Sequence, residues 1–488
     1  MAFRQGALAL AAAAIAPLPI PEGPDASHLP SFVGAPFTAQ PVASPDPPRH
    51  PFMAPNGRSN LHVDAYQTDV HQGLGPLGKG TRRQDTFLEG DCGSVTFDSA
   101  GRIVTVCVGV EGPKLVLSDP KTLTTLAFMP LPPRQPGTGG SAGIFNDFAG
   151  GGYFYLDDKD RAVIPTTTRH VYVVAETSAP GFRIERDYDI SGALASNDKI
   201  ISALPDWSGR IWFASVQGVV GAIDPAGGAV ETLPLDEGIS NSFAVDDGGG
   251  VYVVTNKALY RLDADASGAP TVTWREAYPN SGIAKPGQSD AGSGTTPTLM
   301  GSDYVTILDN ADPMDVVIYR RATAVAGARL VCMSPVFDKG ASASDQSLIG
   351  TASSLVAENN YGYTGPLAIE NGATTTPGLQ RVDIDDGGQG CHSVWRSNEI
   401  APTVVPKLSA AAGLVYTYTK DPRPDDVDAW YLTAIDFRTG QTAFKALGGE
   451  GLGHNNNYAP VTLGPDGTAY VGVLGGLVAL RDSSGPAP

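Results

Sequence analysis

From about residue 85 onward, short apolar runs alternate with Asp/Gly turns, and the alternation repeats. Val95-Thr96-Phe97 leads into Asp98-Ser99-Ala100-Gly101 and then into Arg102-Ile103-Val104-Thr105-Val106. The same order returns at Asp206-Trp207-Ser208-Gly209-Arg210-Ile211-Trp212-Phe213, at Asp246-Asp247-Gly248-Gly249-Gly250-Val251-Tyr252-Val253-Val254, and at Asp466-Gly467-Thr468-Ala469-Tyr470-Val471. Each copy reads as a hairpin, because its tip residues tolerate positive φ and its flanks are β-branched or aromatic. A second turn led by Asp follows, as at Ser118-Asp119-Pro120, Ile223-Asp224-Pro225 and Ile435-Asp436-Phe437-Arg438-Thr439-Gly440. From Gly209 to Gly249 the period is 40 residues, the length of a four-stranded propeller blade. No 3.6-residue periodicity competes with it.

The pattern predicts an all-β chain folded as an eight-bladed β-propeller. The blades fall at roughly 91–130, 144–190, 199–235, 241–278, 295–337, 354–398, 402–447 and 457–483. Seven blades result if the fifth and sixth form one elaborated unit. The last blade is one strand short, and Leu61–Val70 is expected to supply its outer strand, so that the ring closes without an open sheet edge. Residues 57–488 then form a single domain.

What precedes it is different. Gly6–Ala16 is an uninterrupted apolar run behind Arg4, too short to span a bilayer but suited to the core of an export signal over residues 1–16. Twelve prolines follow between Pro17 and Asn56, without periodicity, as in an extended arm or linker. No later apolar stretch reaches about 18 residues, so no membrane span is expected. The location expected is secreted or at the cell surface.

The composition narrows the partners. A net charge of −18 with no basic run argues against nucleic acid or anionic lipid. The four cysteines fit an oxidising compartment. A hairpin centred on Asp98–Gly101 pairs residues whose numbers sum to 199, Cys92 and Cys107 among them, which predicts one disulfide. Cys332 and Cys391 form the second pair by elimination. A monomer is expected.

Two blades carry a likeness to known groups. Leu432-Thr433-Ala434-Ile435-Asp436-Phe437-Arg438-Thr439-Gly440-Gln441-Thr442-Ala443-Phe444 resembles the blade repeat of quinoprotein-like propellers. Asn241-Ser242-Phe243-Ala244-Val245-Asp246, leading into Val251–Val254, is similar to blades of the gluconolactonase and paraoxonase group. Each likeness covers about 15 residues and implies the architecture without placing the chain in one family. The vicinal cysteines of many quinone-dependent dehydrogenases are missing, which disfavours PQQ as cofactor.

In a propeller, residues just before the innermost strands converge on one mouth of the axial channel. Here they are Glu89 and Asp91, Asn146 and Asp147, Asn197 and Asp198, Asn241, Thr295 and Thr296, Glu358 to Asn360, Lys407, and His454 to Asn457. Carboxylates and amides in a ring suit a hard cation such as Ca²⁺ or another divalent ion. They equally suit hydrogen bonding to a sugar, and each is also an ordinary turn residue. The candidate metal ligands are Glu358, Asn359 and Asp64. Asn146, Asn241, Asp309, Asn310, Asn360, Tyr361 and Asn456 are the candidate ligand-binding residues. Outside the repeats, His62-Val63-Asp64 and Asp69-Val70-His71 place each His two positions from an Asp, on one face of an extended strand. With that strand beside the eighth blade, His454 lies near His62, and the two are the candidate bases.

The reading that follows is a secreted propeller holding a carbohydrate-like or lactone-like molecule at its channel mouth, with metal- or His/carboxylate-assisted hydrolysis or elimination if it is an enzyme. A non-catalytic interaction scaffold and a quinone-dependent oxidoreductase are the alternatives. Gly-x-Ser-x-Gly, His-Glu-x-x-His and phosphate-loop motifs do not occur.

Overall fold

The computed structural model describes residues 14–24, 26–134 and 149–483. Its strands form eight sheets, one after another along the chain, and each is a blade of an eight-bladed β-propeller. The innermost strand of each blade comes first. Blade 1 runs from inner Asp91–Phe97 through Ile103–Gly109 and Gly112–Ser118 to outer Thr125–Pro130. The inner strands of the other blades are Tyr155–Leu156, Ile200–Pro205, Ala244–Val245, Thr298–Met300, Ile349–Gly350, Lys407–Ser409 and Val461–Leu463. The face at which these strands begin is called the upper face below.

The Asp-led turns are built as their sequence requires. In blade 3, Asp206 Oδ1 accepts the backbone N–H of Ser208 at 2.8 Å and of Arg210 at 3.1 Å, and Oδ2 accepts Trp212 Nε1–H at 2.9 Å. Asp98, Asp157 and Asp246 repeat the arrangement in blades 1, 2 and 4. A local carboxylate thus closes each of these four hairpins while the strands bury their apolar faces against the next blade. Trp212, Phe213, Tyr252, Tyr416 and Tyr470 are fully buried in those seams.

The sixth blade begins earlier than the sequence pattern suggests. Ser354–Glu358 reads as a first strand because it is apolar, yet it is the second; the inner strand is the two-residue Ile349–Gly350. A strand that short carries no periodicity. Blades 5 and 6 are separate sheets, which removes the seven-bladed alternative.

The ring closes with an N-terminal strand, but not with Leu61–Val70. Arg82–Phe87 pairs antiparallel with Gly476–Arg481 as the outer strand of blade 8. Leu61–Val70 goes elsewhere because it turns repeatedly: Val63, Gln67 and Asp69 have φ of 80°, 59° and 57°. Such a segment cannot lie as an edge strand.

Both disulfides are formed as paired from the sequence. The route to the first differs in detail. The hairpin register runs one residue off, with Phe97 opposite Ile103, and an irregularity between Asp91 and Ser94 brings Cys92 against Cys107. Cys332–Cys391 joins the outer strands of blades 5 and 6.

The proline-rich stretch lies along the propeller. Phe32–Gly34 adds an antiparallel strand to the outer edge of blade 7. Gln40 and Val42 donate backbone bonds to Ala412 and Ala410, and Ala54 to Leu156. Of the expected export signal, residues 1–13 lie outside the described residues; Ile15 exchanges two backbone bonds with Thr125 of blade 1. No helix among the described residues is long and apolar enough to cross a membrane.

Candidate functional site

Residues 57–71 wind once around the channel. The innermost strand of a blade is a sheet edge, and its axis-facing N–H groups need acceptors if water is excluded. This segment supplies them in blade order. Arg58 O accepts from Phe97 in blade 1, Ser59 O from Leu156 in blade 2, Ala65 O from Val245 in blade 4 and Tyr66 O from Leu299 in blade 5. Thr68 O accepts from Gly350 in blade 6 and Asp69 O from Leu408 in blade 7, while His71 Nε2 accepts from Leu463 N–H in blade 8. Most of these donors sit at the lower ends of inner strands. The segment therefore closes the channel from below, and its turns are what let it follow a tight circle.

Above the ring the channel opens into a cavity of about 1290 Å³. Leu61 and His62 of the ring form its floor, with Asp91, Tyr153, Asp345, Gln346, Ser347, Asn457 and Tyr458 around them. The rest of its lining is largely apolar, with Val106, Val108, Phe128, Val405 and Leu474 and the N-terminal Ile15 and Leu18, beside the charged Glu89, Glu111 and Lys114.

The floor has a defined charge arrangement. His62 Nδ1 lies 3.1 Å from Asp69 Oδ1, and Lys407 Nζ pairs with the same oxygen. All three side chains are buried, Asp69 and Lys407 completely. Burial pushes the Asp69 carboxyl up, but the Lys407 charge and His62 more than offset it and the net direction is down. Burial holds His62 below its ordinary value, and Lys407 adds to that while Asp69 opposes it. The result is a neutral imidazole beside a paired ion. On its other side, His62 Nε2 faces Ser347 Oγ at 3.5 Å. The Tyr153 ring stacks on the imidazole with centroids 6.1 Å apart.

Two further carboxyls line the cavity, both pushed upward by burial. Burial pushes Asp91 up to about 8, against the pull of an Asn457 hydrogen bond and the Arg134 charge. Burial pushes Asp345 up to about 7, although the Ser289 backbone N–H donates to it at 2.6 Å.

The residues singled out from the sequence separate into groups. His62 is at the cavity floor, but its partner is Asp69 and not Asp64. Asp64 instead binds the Thr68 hydroxyl, and burial pushes it up to about 7. The extended-strand geometry that would have paired His62 with Asp64 is absent because Val63 is in a turn. His454 is not beside His62: its Nδ1 contacts Glu450 O at 2.9 Å and its ring packs on Gly449, at the seam with Arg83 and Asp85.

Asn241 Oδ1 accepts the Tyr153 hydroxyl at 3.1 Å and so holds a cavity residue in place. Glu358, Asn359 and Asn360 follow the second strand of blade 6. Asn360 Nδ2 donates to Glu358 at 2.8 Å and to Pro402 O at 2.9 Å, and its Oδ1 accepts Asp345 N–H at 2.8 Å. Asn359 Oδ1 accepts the Tyr361 N–H at 3.2 Å. These residues scaffold the Asp345 loop. Asp309 Oδ1 accepts the backbone N–H groups of Ala311 and Asp315, and Asn310, bridged to Asn280, donates its Nδ2–H to Asn280 Oδ1 and Ile283 O. Asn456 Nδ2 donates to Ala459 O at 2.8 Å. Asn146 lies outside the described residues. Among the described residues no three His, Cys, Asp or Glu side chains converge as metal ligands.

Ser347, Asp345 and Tyr153 are not singled out by the sequence pattern. For two of them a signal is present in Ser344-Asp345-Gln346-Ser347, a polar run directly before an apolar step, as at the other mouths. The misplaced start of blade 6 hides it.

No protein-family model matches the chain. An uncharacterized protein of Archaeoglobus fulgidus is 30% identical over 320 residues, which is 59% of this chain. The match spans 62% of that relative's length. Among solved structures, BamB from Moraxella catarrhalis is similar with a TM-score of 0.46 and 12% identity, over 86% of this chain and 95% of that one. A protein of unknown function from Desulfotomaculum acetoxidans is similar with a TM-score of 0.40 and 9% identity, over 68% and 92%.

Proposed function

We propose that this propeller binds a small molecule in the cavity above the ring segment, and that the molecule has a polar, carbonyl- or hydroxyl-bearing head and a less polar body. The lactone-like class fits this description, and a sugar with an apolar substituent fits it as well. The observation that carries the reading is the closure of the channel from below. It converts a pore into a pocket whose floor holds an imidazole, buried carboxyls and hydroxyls, beneath apolar walls. Pockets of this kind fix orientation with a few polar groups and gain affinity from the walls. A scaffold with a channel filled by apolar side chains is favoured less, because His62 and its polar neighbours face the space. The two disulfides suit an extracytoplasmic location.

A fluorescence or calorimetric screen of medium-chain lactones and alkyl glycosides tests this. Binding that is lost on Gly152→Trp, a bulky change at the cavity wall, supports it. Binding unchanged by that substitution, or no binding to either class, contradicts it.

A further inference from the structure

We propose that Ser347 is a nucleophile with His62 as its general base, and that the cavity hydrolyses a carboxylic ester or lactone. The inference rests on the cavity being the ligand site and adds the reaction.

Asp69, ionised against Lys407, can only accept, so His62 Nδ1 at 3.1 Å from it must carry the proton. Nε2 is then the unprotonated nitrogen, and Ser347 Oγ is its neighbour at 3.5 Å. Thr296 N–H donates to the same Oγ at 3.2 Å, which occupies one lone pair and leaves the hydroxyl hydrogen for Nε2. Tyr153, stacked on the imidazole at an interplanar angle of 25°, restrains the ring. The residues come from the ring segment and from blades 2, 5, 6 and 7, and only the closed propeller brings them together. A nucleophile–base distance of this length without substrate shortens when the substrate is seated.

The chemistry follows from these roles. Ser347 Oγ attacks the carbonyl carbon while its proton moves to His62 Nε2. The acyl C–O bond then breaks, the leaving alkoxide takes that proton, and an acyl-serine remains. Water attacks the acyl carbon, gives a proton to Nε2, and the departing Ser347 oxygen recovers it. The sum is ester and water going to acid and alcohol. The apolar walls accept the acyl or alkyl portion. Asp69 is a positioning residue, and so is Lys407. Because Lys407 offsets the Asp69 charge, the imidazolium gains less from Asp69 than an unpaired carboxylate would give.

A short-chain alkyl fluorophosphonate, followed by intact-mass measurement and peptide mapping of the full chain, tests the proposal. One adduct on Ser347 is expected, absent in Ser347→Ala and formed at least about a hundredfold more slowly in His62→Gln. Alkylation of Ser347→Cys by iodoacetamide reports access to the position independently. If that thiol reacts while wild-type Ser347 takes no fluorophosphonate, the nucleophile proposal is overturned and the ligand-binding reading stands. An adduct whose rate ignores His62→Gln also overturns it. If neither probe reacts, the cavity is closed and both readings fall.

Discussion

His62 and Asp69 stand seven residues apart on one turn-rich segment, with Nδ1 and Oδ1 separated by 3.1 Å. The turns between them fold the imidazole back onto its own carboxylate partner while the carbonyls of the same segment cap inner strands of the propeller. One stretch of chain therefore does two things: it closes the channel, and it sets the tautomer of the histidine on the cavity floor.

The Asp69–Lys407 ion pair should be costly to break and cheaper to remove. Lys407→Met leaves Asp69 buried without its cation, and a loss of about 3–5 kcal/mol is expected. The double variant Asp69→Asn/Lys407→Met should lose less than Lys407→Met alone. Denaturant unfolding of the variants checks this, and a double variant worse than the single one contradicts the pairing.

The two ring histidines fix a pH dependence. Burial holds His62 below its ordinary value and pushes His71 down to about 3. In the unfolded chain both take up protons near pH ~6.5. The folded state binds fewer protons below that pH, so these residues contribute stability above pH ~6.5 that is lost as the pH falls, for His71 down to about 3. Nitrogen-15 spectra of the histidines should show His62 titrating below the ordinary histidine range, with Nδ1–H as the tautomer of its neutral form. A His62 that titrates at or above the ordinary value would contradict the account.

The disulfides should differ in worth. Cys92–Cys107 closes 15 residues and Cys332–Cys391 closes 59. In the chain-entropy picture these correspond to about 3 and about 4 kcal/mol. Paired Cys→Ser replacement should therefore destabilise more at 332/391 than at 92/107, as read from denaturant midpoints. Non-reducing peptide maps should recover both pairs.

The repeat makes the fold legible in the sequence. Asp98, Asp206 and Asp246 each announce a hairpin because the carboxylate that favours the turn also closes it. The Cys92–Cys107 pair follows from one of the same hairpins. What stays hidden depends on contacts far apart in the chain. Ile349–Gly350 is too short to carry a pattern, so the start of blade 6 is misplaced and the polar run ending at Ser347 goes unread as a mouth. His62 meets Asp69 and Lys407 only after the ring segment coils inside the finished propeller, whereas local spacing points to Asp64.

The claim that residues 57–71 seal the lower mouth has a direct measurement. Hydrogen exchange should find the amides of Val245, Leu299, Gly350 and Leu408 as slow as those in the middle strands of their blades, because each donates to a ring-segment carbonyl. Exchange of these four at the rate of open sheet edges would mean that the channel is a through-pore and that His62 has no fixed place on a cavity floor.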